Sequence, residues 1–358
     1  MDIYIELLEK LIRLRPVSEN TSAVNQVQET LCAFLQERGV YCVMENLDGK
    51  KVLYASTACG QTPDLLLNAH VDVVPVEDEM QFEPVIRDGW MYARGAGDCL
   101  GSAVCIVKTL CEADKTLSIG AIFSADEEIG GATTGYMAEK YAAKRLVCVL
   151  DGSSDKITYG QKGTMNVRLS ASGVSGHASR PFYFDNAADK LIDGYARFKS
   201  DWQNPTEESP WQNSMALTIV KSGIIANKIP DSAEMIINFR YIEQSAREEI
   251  LQSLREKTRL EVELLSYRDP VVVSKDAPEL KILAECMEKH LGFAPSYNRM
   301  HGATDASYFV NGQAPVIILG LNSTDAHGRE EKAEVASIAR YAEILKETAA
   351  RLKTTPGI

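Results

Sequence analysis

At 358 residues the chain exceeds what one hydrophobic core usually organises, since single cores stop growing near ~250–300 residues, so two domains are the starting expectation. Hydrophobic residues make up 45% and charged residues 25%, ordinary values that exclude collagen-like, repeat and disordered classes. With 38 basic against 50 acidic residues, the formal charge of -12 repels nucleic-acid phosphates instead of collecting them.

In chain order, Met1 to Arg15 reads as an amphipathic helix with Ile3, Leu7, Leu8, Leu11 and Ile12 on one face, and not as an export signal. No run approaches the ~20 apolar residues of a membrane span. A cytoplasmic protein is expected, with no membrane partner and with its eight cysteines, none in a CxxC pair, as reduced thiols. Ser22 can cap a second helix whose apolar face is Val24, Val27, Leu31, Phe34 and Leu35. Strands at 40–44, 51–55, 65–74, 117–124 and 146–150 then alternate with helices at 101–112 and 136–143. Continuous apolar strands in that alternation predict a mostly parallel sheet with helices on both faces.

The texture changes after Gly160. A strand at 164–172, a helix at 186–199, strands at 215–220 and 233–241, a helix to about Lys257 and a strand at 261–267 follow the ferredoxin-like split βαβ order. Helix–strand alternation resumes from Asp276, with a strand at 315–319 and a last helix at 332–352. The expected molecule is an α/β protein: a discontinuous catalytic domain, residues 1–162 and 270–358, interrupted by an inserted α+β lid domain, residues 163–269.

Ligands of open α/β sheets gather at the carboxyl ends of the strands, and four strand ends here carry metal-binding or titratable groups. LLLNAHVDVVP places His70 and Asp72 on the same side of a strand, because strand side chains alternate with period two. Imidazole is a common zinc ligand whose other ring nitrogen needs an acceptor, although a hydrogen-bonded structural histidine has the same spacing. YARGAGDCLGSA sets Asp98 in a glycine-rich turn before a helix, where a helix cap is the plainer role. IFSADEEIGG ends a buried strand on Glu127 and Glu128, VCVLDGSSD ends another on Asp151, and LNSTDAHGREE offers His327 after the strand at 315–319. Each signal is modest alone. Five candidate metal ligands (His70, Asp98, Glu128, Asp151, His327) plus one spare carboxylate, Glu127, at successive strand ends match what a two-metal hydrolase requires.

In its order of His-x-Asp, Asp within GxGDxxG, Glu-Glu, Asp and a late His, the chain resembles the di-zinc peptidases and deacylases that include acetylornithine deacetylase, succinyl-diaminopimelate desuccinylase, aminoacylase and carboxypeptidase G. The resemblance covers nearly the whole length. It implies an amide hydrolase with two divalent metal ions, zinc, with cobalt or manganese as alternatives. His70 and Asp151 would hold one ion, Glu128 and His327 the other, and Asp98 would bridge them. Glu127 would carry the proton from water to the leaving amine, and Asp72 would orient His70. From GVSGHASRP it implies His177 as an oxyanion donor, supplied in dimeric members by the neighbouring subunit. From GIIANKIPD and INFRY it implies Asn227 and Arg240 as substrate-binding residues, and from HGATDASYF a substrate loop with Gly302 and Thr304. It also implies a homodimer through the lid.

The chain departs from the family where Leu100 stands two places after Asp98 in place of a common lysine, and where Gln161 and Lys162 replace the paired arginines of the desuccinylase branch. Asp151 suits peptidases that read a free amino terminus, whereas QKG and GHASRP suit deacetylases of N-acyl amino acids. The expected function is therefore N-acyl-amino-acid deacylation, with a di- or tripeptidase as the alternative. A catalytically silent metal-binding scaffold is the reading from a different class, disfavoured because no ligand and no base is missing. Cys99 as a nucleophile is disfavoured by its carboxylate neighbour, which opposes thiolate formation.

Overall fold

The computed structural model describes residues 2–355, and these divide into two compact units. The larger comprises the chain up to Gly160, Val273–Arg299 and everything from Thr304. The smaller comprises Gln161–Val272 and Met300–Ala303.

In the larger unit the strands Ile119–Ser124, Leu65–His70, Leu146–Val149 and Val316–Ile318 lie side by side in that order, all parallel. The antiparallel hairpin Tyr41–Leu47 and Lys50–Ser56 extends one side through Lys50–Ser56, and Lys156–Gln161 pairs antiparallel at the other. The first three parallel strands are buried at every position. Only a sheet covered on both faces can bury consecutive side chains, which point alternately up and down. The helix Leu100–Glu112 packs on the strand Leu65–His70 and on the last helix, Val335–Thr354, which in turn packs on Pro278–Leu291. Ile3–Arg13 buries Leu7, Leu8, Leu11 and Ile12 against the same core, the i, i+3, i+4 stripe read from the sequence.

Several elements differ from expectation for identifiable reasons. The second helix starts at Thr21 because Asn20, not Ser22, caps it, accepting from the Ala23 N–H at 3.2 Å. The strand expected to reach Val74 ends at His70, after which the chain turns toward residues 16–18 and Val73 bonds to the Pro16 carbonyl. The helix expected at 136–143 runs instead from Ala132 to Ala138. Its start is drawn forward by Asp126, which accepts from the backbone N–H and hydroxyl of Thr133. Its end comes early because Ala142 and Lys144 give their N–H groups to Gln61 and Pro63. A small antiparallel sheet escaped the sequence reading: Lys332–Glu334 pairs with Trp90–Tyr92, so the last helix begins at Val335 and not at 332.

The smaller unit is a four-stranded antiparallel sheet ordered Ser214–Ser222, Ser232–Tyr241, Gly163–Ser172, Glu261–Arg268, with helices Ala187–Lys199 and Ser245–Thr258. That is the ferredoxin-like strand order. Strands Gly163–Ser172 and Ser232–Tyr241 alternate strictly between buried and half-exposed residues, and the helices pack on the buried side over Val167, Leu169, Ile237 and Phe239.

Candidate metal centre

Four chain turns at the carboxyl ends of the parallel strands, joined by two loops, bring the polar residues of the larger unit together. His70 is the last residue of its strand and is fully enclosed. Its Nδ1 lies 2.9 Å from the backbone carbonyl of Asp72 and 3.5 Å from the Asp72 carboxylate. The orienting partner is thus mainly the main chain, because the strand has ended and Asp72 no longer stands beside His70 on one pleated face. A carbonyl can only accept, so Nδ1 carries the proton and Nε2 is free as a ligand atom.

The Asp72 carboxylate, buried completely, also makes other contacts. It accepts from the Ser18 hydroxyl at 2.7 Å and from the backbone N–H groups of Glu127 and Glu128 at 3.1 and 3.3 Å. It thereby ties the His70 strand end to the Glu127–Glu128 turn. Gly130 and Gly131 complete that turn with φ of +119° and +67°, and a Cβ on Gly131 would collide with an Asp305 oxygen.

Asp98 faces both imidazoles: Oδ1 is 2.9 Å from His70 Nε2 and Oδ2 is 3.2 Å from His327 Nε2. His327 Nε2 also lies 3.0 Å from Glu128 Oε1. Two groups of ligand atoms, each within 4.8 Å of one another, emerge: His70, Asp98, Cys99 and Asp151, and Asp98, Glu128 and His327. Asp98 belongs to both. His327 holds its place in a left-handed backbone conformation, φ +65°, the kind of local strain found at ligand and active sites.

Electrostatics show a surplus of negative charge. Burial pushes Glu127 up to about 8, with Asp305, Glu128 and Asp72 adding to it against an opposing pull from His70. Burial likewise drives Asp151 well above the carboxylate range, with the charge of Asp98 adding. Asp305 rises to about 6 through burial, opposed by the hydroxyls of Thr134 and Ser124. Asp98 is the exception: burial would raise it, but the imidazoles of His327 and His70 that face it hold it well below the usual range. His327 is raised to about 9, chiefly by its bond to Asp98. Carboxyl groups crowded this closely cannot all ionise without added positive charge. Their oxygen and imidazole donor set is the chemistry of a site for two divalent cations.

The sequence reading named His70, Asp72, Asp98, Glu127, Glu128, Asp151 and His327, and the structure gathers all seven in this cluster. Thr304 lies in the same unit, buried, where its hydroxyl caps the turn Asp305–Tyr308 by accepting from the Ala306 N–H. Asp305, its neighbour, was passed over. It is buried, receives the Thr134 hydroxyl at 2.5 Å and adds its charge to that of Glu127. Its only sequence signal was an acid inside the apolar-flanked run HGATDASYF.

Gly302, His177, Asn227 and Arg240 belong to the smaller unit. His177 and Asn227 are neighbours there, because residues 176–177 pair with 228–229 and the Ala178 N–H donates to the Asn227 carbonyl. His177 is exposed, and its Nδ1 accepts from the Ser179 N–H at 3.2 Å, which leaves Nε2 as the protonated nitrogen of the neutral ring. Arg240 is half-buried, and among the described residues its side chain makes one hydrogen bond, Nε to Asn238 at 3.2 Å, and no ion pair. Lys162, buried beside it in charge terms, donates to the carbonyls of Pro210 and Gln212.

An open sheet that delivers carboxylates and imidazoles from successive strand ends to paired cation sites defines a metal-binding α/β hydrolase. The chain belongs to peptidase family M20/M25/M40, whose model matches residues 66–351, and it is a hydrolase of that family. It is similar to the succinyl-diaminopimelate desuccinylase of Sulfurovum sp. (strain NBC37-1), 23% identical over 364 residues that cover 96% of this chain and 97% of the relative. Among solved structures it is similar to aminopeptidase PepT from Bacillus cereus, with a TM-score of 0.77 at 16% identity, covering 97% of this chain and 98% of that one. A dinuclear metal-binding M20 peptidase from Bacillus subtilis matches with a TM-score of 0.70 at 16% identity, covering 99% of this chain and all of that one, 100%.

Proposed function

We propose that the protein is a di-zinc N-acyl-amino-acid deacylase of the cytoplasm. The observation that carries the hydrolytic centre is the pair of ligand groups sharing Asp98, with Glu127 in neither group. The acyl-amino-acid substrate is supported by full-length relatives that carry the desuccinylase name. The eight cysteines are unpaired, the state that a reducing compartment maintains.

His70 and Asp151 would hold one ion, Glu128 and His327 the other, with Asp98 contributing to both ligand groups. Bound there, divalent cations lower the pKa of water and polarise the scissile carbonyl. Glu127 takes the proton from the attacking water at its carboxylate and returns it to the departing amine, which suits a group whose burial raises its proton affinity. Asp72 fixes that carboxylate by binding the backbone N–H of Glu127. His177, supplied by the neighbouring subunit of a dimer, would donate to the developing oxyanion. Asn227 hydrogen-bonds the substrate, Arg240 pairs with its carboxylate, and Gly302 with Thr304 shapes the adjoining loop. Support for the Arg240 role is its half-buried guanidinium, which has no acid partner among the described residues.

The smaller unit pairs with a second copy. The strand Ser214–Ser222 is a sheet edge that exposes Leu217, Ile219 and Val220, and Ile224 and Ile225 follow it, also exposed. An apolar edge of this kind is a template for strand pairing. Val220→Lys is expected to give a monomeric mass where the wild type sediments as a dimer.

The deciding experiment offers the zinc-loaded protein N-acetyl amino acids, N-succinyl amino acids and unblocked dipeptides. Release of free amino acid from the acyl series, abolished by Glu127→Ala, is expected. Turnover of dipeptides alone would establish the peptidase instead, and turnover of nothing would favour the silent scaffold.

A further inference from the structure

A buried ion pair outside the ligand set joins the two loops that carry Asp98 and His327. Glu331 is 1% exposed and Arg94 3%, and their side chains are paired, Arg94 Nη1 to Glu331 Oε2. The other carboxylate oxygen, Oε1, accepts three backbone N–H groups from one turn: Gly95 at 2.9 Å, Gly97 at 3.0 Å and Asp98 itself at 3.1 Å. The other end of the guanidinium, Nη2, donates to the carbonyl of His327 at 2.9 Å and of Gly328 at 3.3 Å. Gln81 adds a bond to the Gly328 carbonyl at 3.0 Å.

A pair built only for stability would be a poor investment, because desolvating two charges roughly cancels their attraction. Here each charge is spent on main-chain groups of a ligand loop. Three N–H dipoles converge on one oxygen, which sets the backbone from which the Asp98 side chain reaches both imidazoles. The fork of Arg94 fixes the carbonyl of a histidine whose backbone is left-handed. Lysine could keep the charge but not the fork, since it is a single point donor on a flexible stem.

We infer that Arg94 and Glu331 are positioning residues that lock the Asp98 loop to the His327 loop and so set the affinity of the second cation site. The inference rests on reading Asp98 and His327 as ligands. Partners at this remove from a metal commonly control affinity by ~10–100-fold.

The test titrates metal-free full-length protein with cobalt(II), following the visible absorption of the bound ion, and records thermal unfolding of each metal-free variant. Arg94→Lys is expected to unfold at the wild-type temperature, bind the first ion normally and bind the second roughly tenfold or more weakly. Glu331→Gln is expected to weaken both ions, because Asp98 serves both. Wild-type affinities for two ions in both variants would overturn the inference while leaving the ligand reading intact. So would an equal loss at both sites in Arg94→Lys that follows a fall in its unfolding temperature, since that is a merely structural effect. If Glu331→Gln fails to fold, the Arg94→Lys result decides. A wild-type protein that takes up fewer than two ions would overturn the ligand reading, and this inference with it.

Discussion

In the larger unit, Asp72, Asp98, Glu127, Glu128, Asp151 and Asp305 crowd around two imidazoles. In the smaller unit, Lys162 and Arg240 meet no acidic side chain among the described residues. Their strands differ in the same sense. Those under the carboxylates are buried on both faces, whereas those carrying Arg240 and Thr164 bury every second residue and leave the other half-exposed. A charge retained without its opposite costs stability, so the acidic cluster of the first unit calls for cations, and the proposed role of Arg240 in the second calls for an anionic substrate group.

The largest expected effect breaks the comparison at the acidic side. Glu127→Gln keeps the shape and removes the proton carrier, so kcat should fall by ~10²–10⁴-fold with the metal content of the purified protein unchanged; a parallel loss of metal would make Glu127 a ligand and not the base. On the basic side, Arg240→Met removes a charge-assisted bond worth ~1.5–3 kcal/mol. A rise in KM of roughly 10–100-fold for substrates bearing a carboxylate, with kcat nearly unchanged, is expected from steady-state kinetics. An esterified substrate should be indifferent to the substitution.

A smaller effect sharpens the comparison without mutation. Burial raises Glu127 to about 8 and Asp305 to about 6, both above their unfolded values. The folded protein therefore binds more protons than the unfolded chain between about pH 4.5 and 8, and stability must fall as pH rises through that window. His327, raised to about 9, acts in the same direction: its stabilisation is complete below its unfolded value and is lost as pH climbs through 9. Metal-free protein is expected to lose a few kcal/mol between pH 5 and pH 8 in denaturant titrations. Cation-loaded protein should lose much less, because bound cations stabilise the ionised carboxylates. A metal-free protein most stable at pH 8 would show that these charges are balanced in some other way.

Much of the centre was legible along the chain because strand ends are local features. Runs of apolar residues that carry His70, end at Ser124 before Glu127–Glu128 or end just before Asp151 can be read from the sequence, and so can the element order of the smaller unit. The His70 Nδ1 lies nearer the main-chain carbonyl of Asp72 than its carboxylate, since period-two alternation holds only while the strand lasts, and it ends at His70.

The sequence by itself determined which groups stand at the strand ends, and hence the ligand candidates and the spare carboxylate. Only the tertiary structure decided what holds them. Asp305, Glu331 and Arg94 look like solvated loop residues in one dimension, because a charged residue in ATDAS, REEK or ARGAG is usually on the surface. What makes them part of the centre is burial and convergence from segments far apart in the chain. Neither leaves a periodic trace, since both arise only when separate loops close over one another and exclude water.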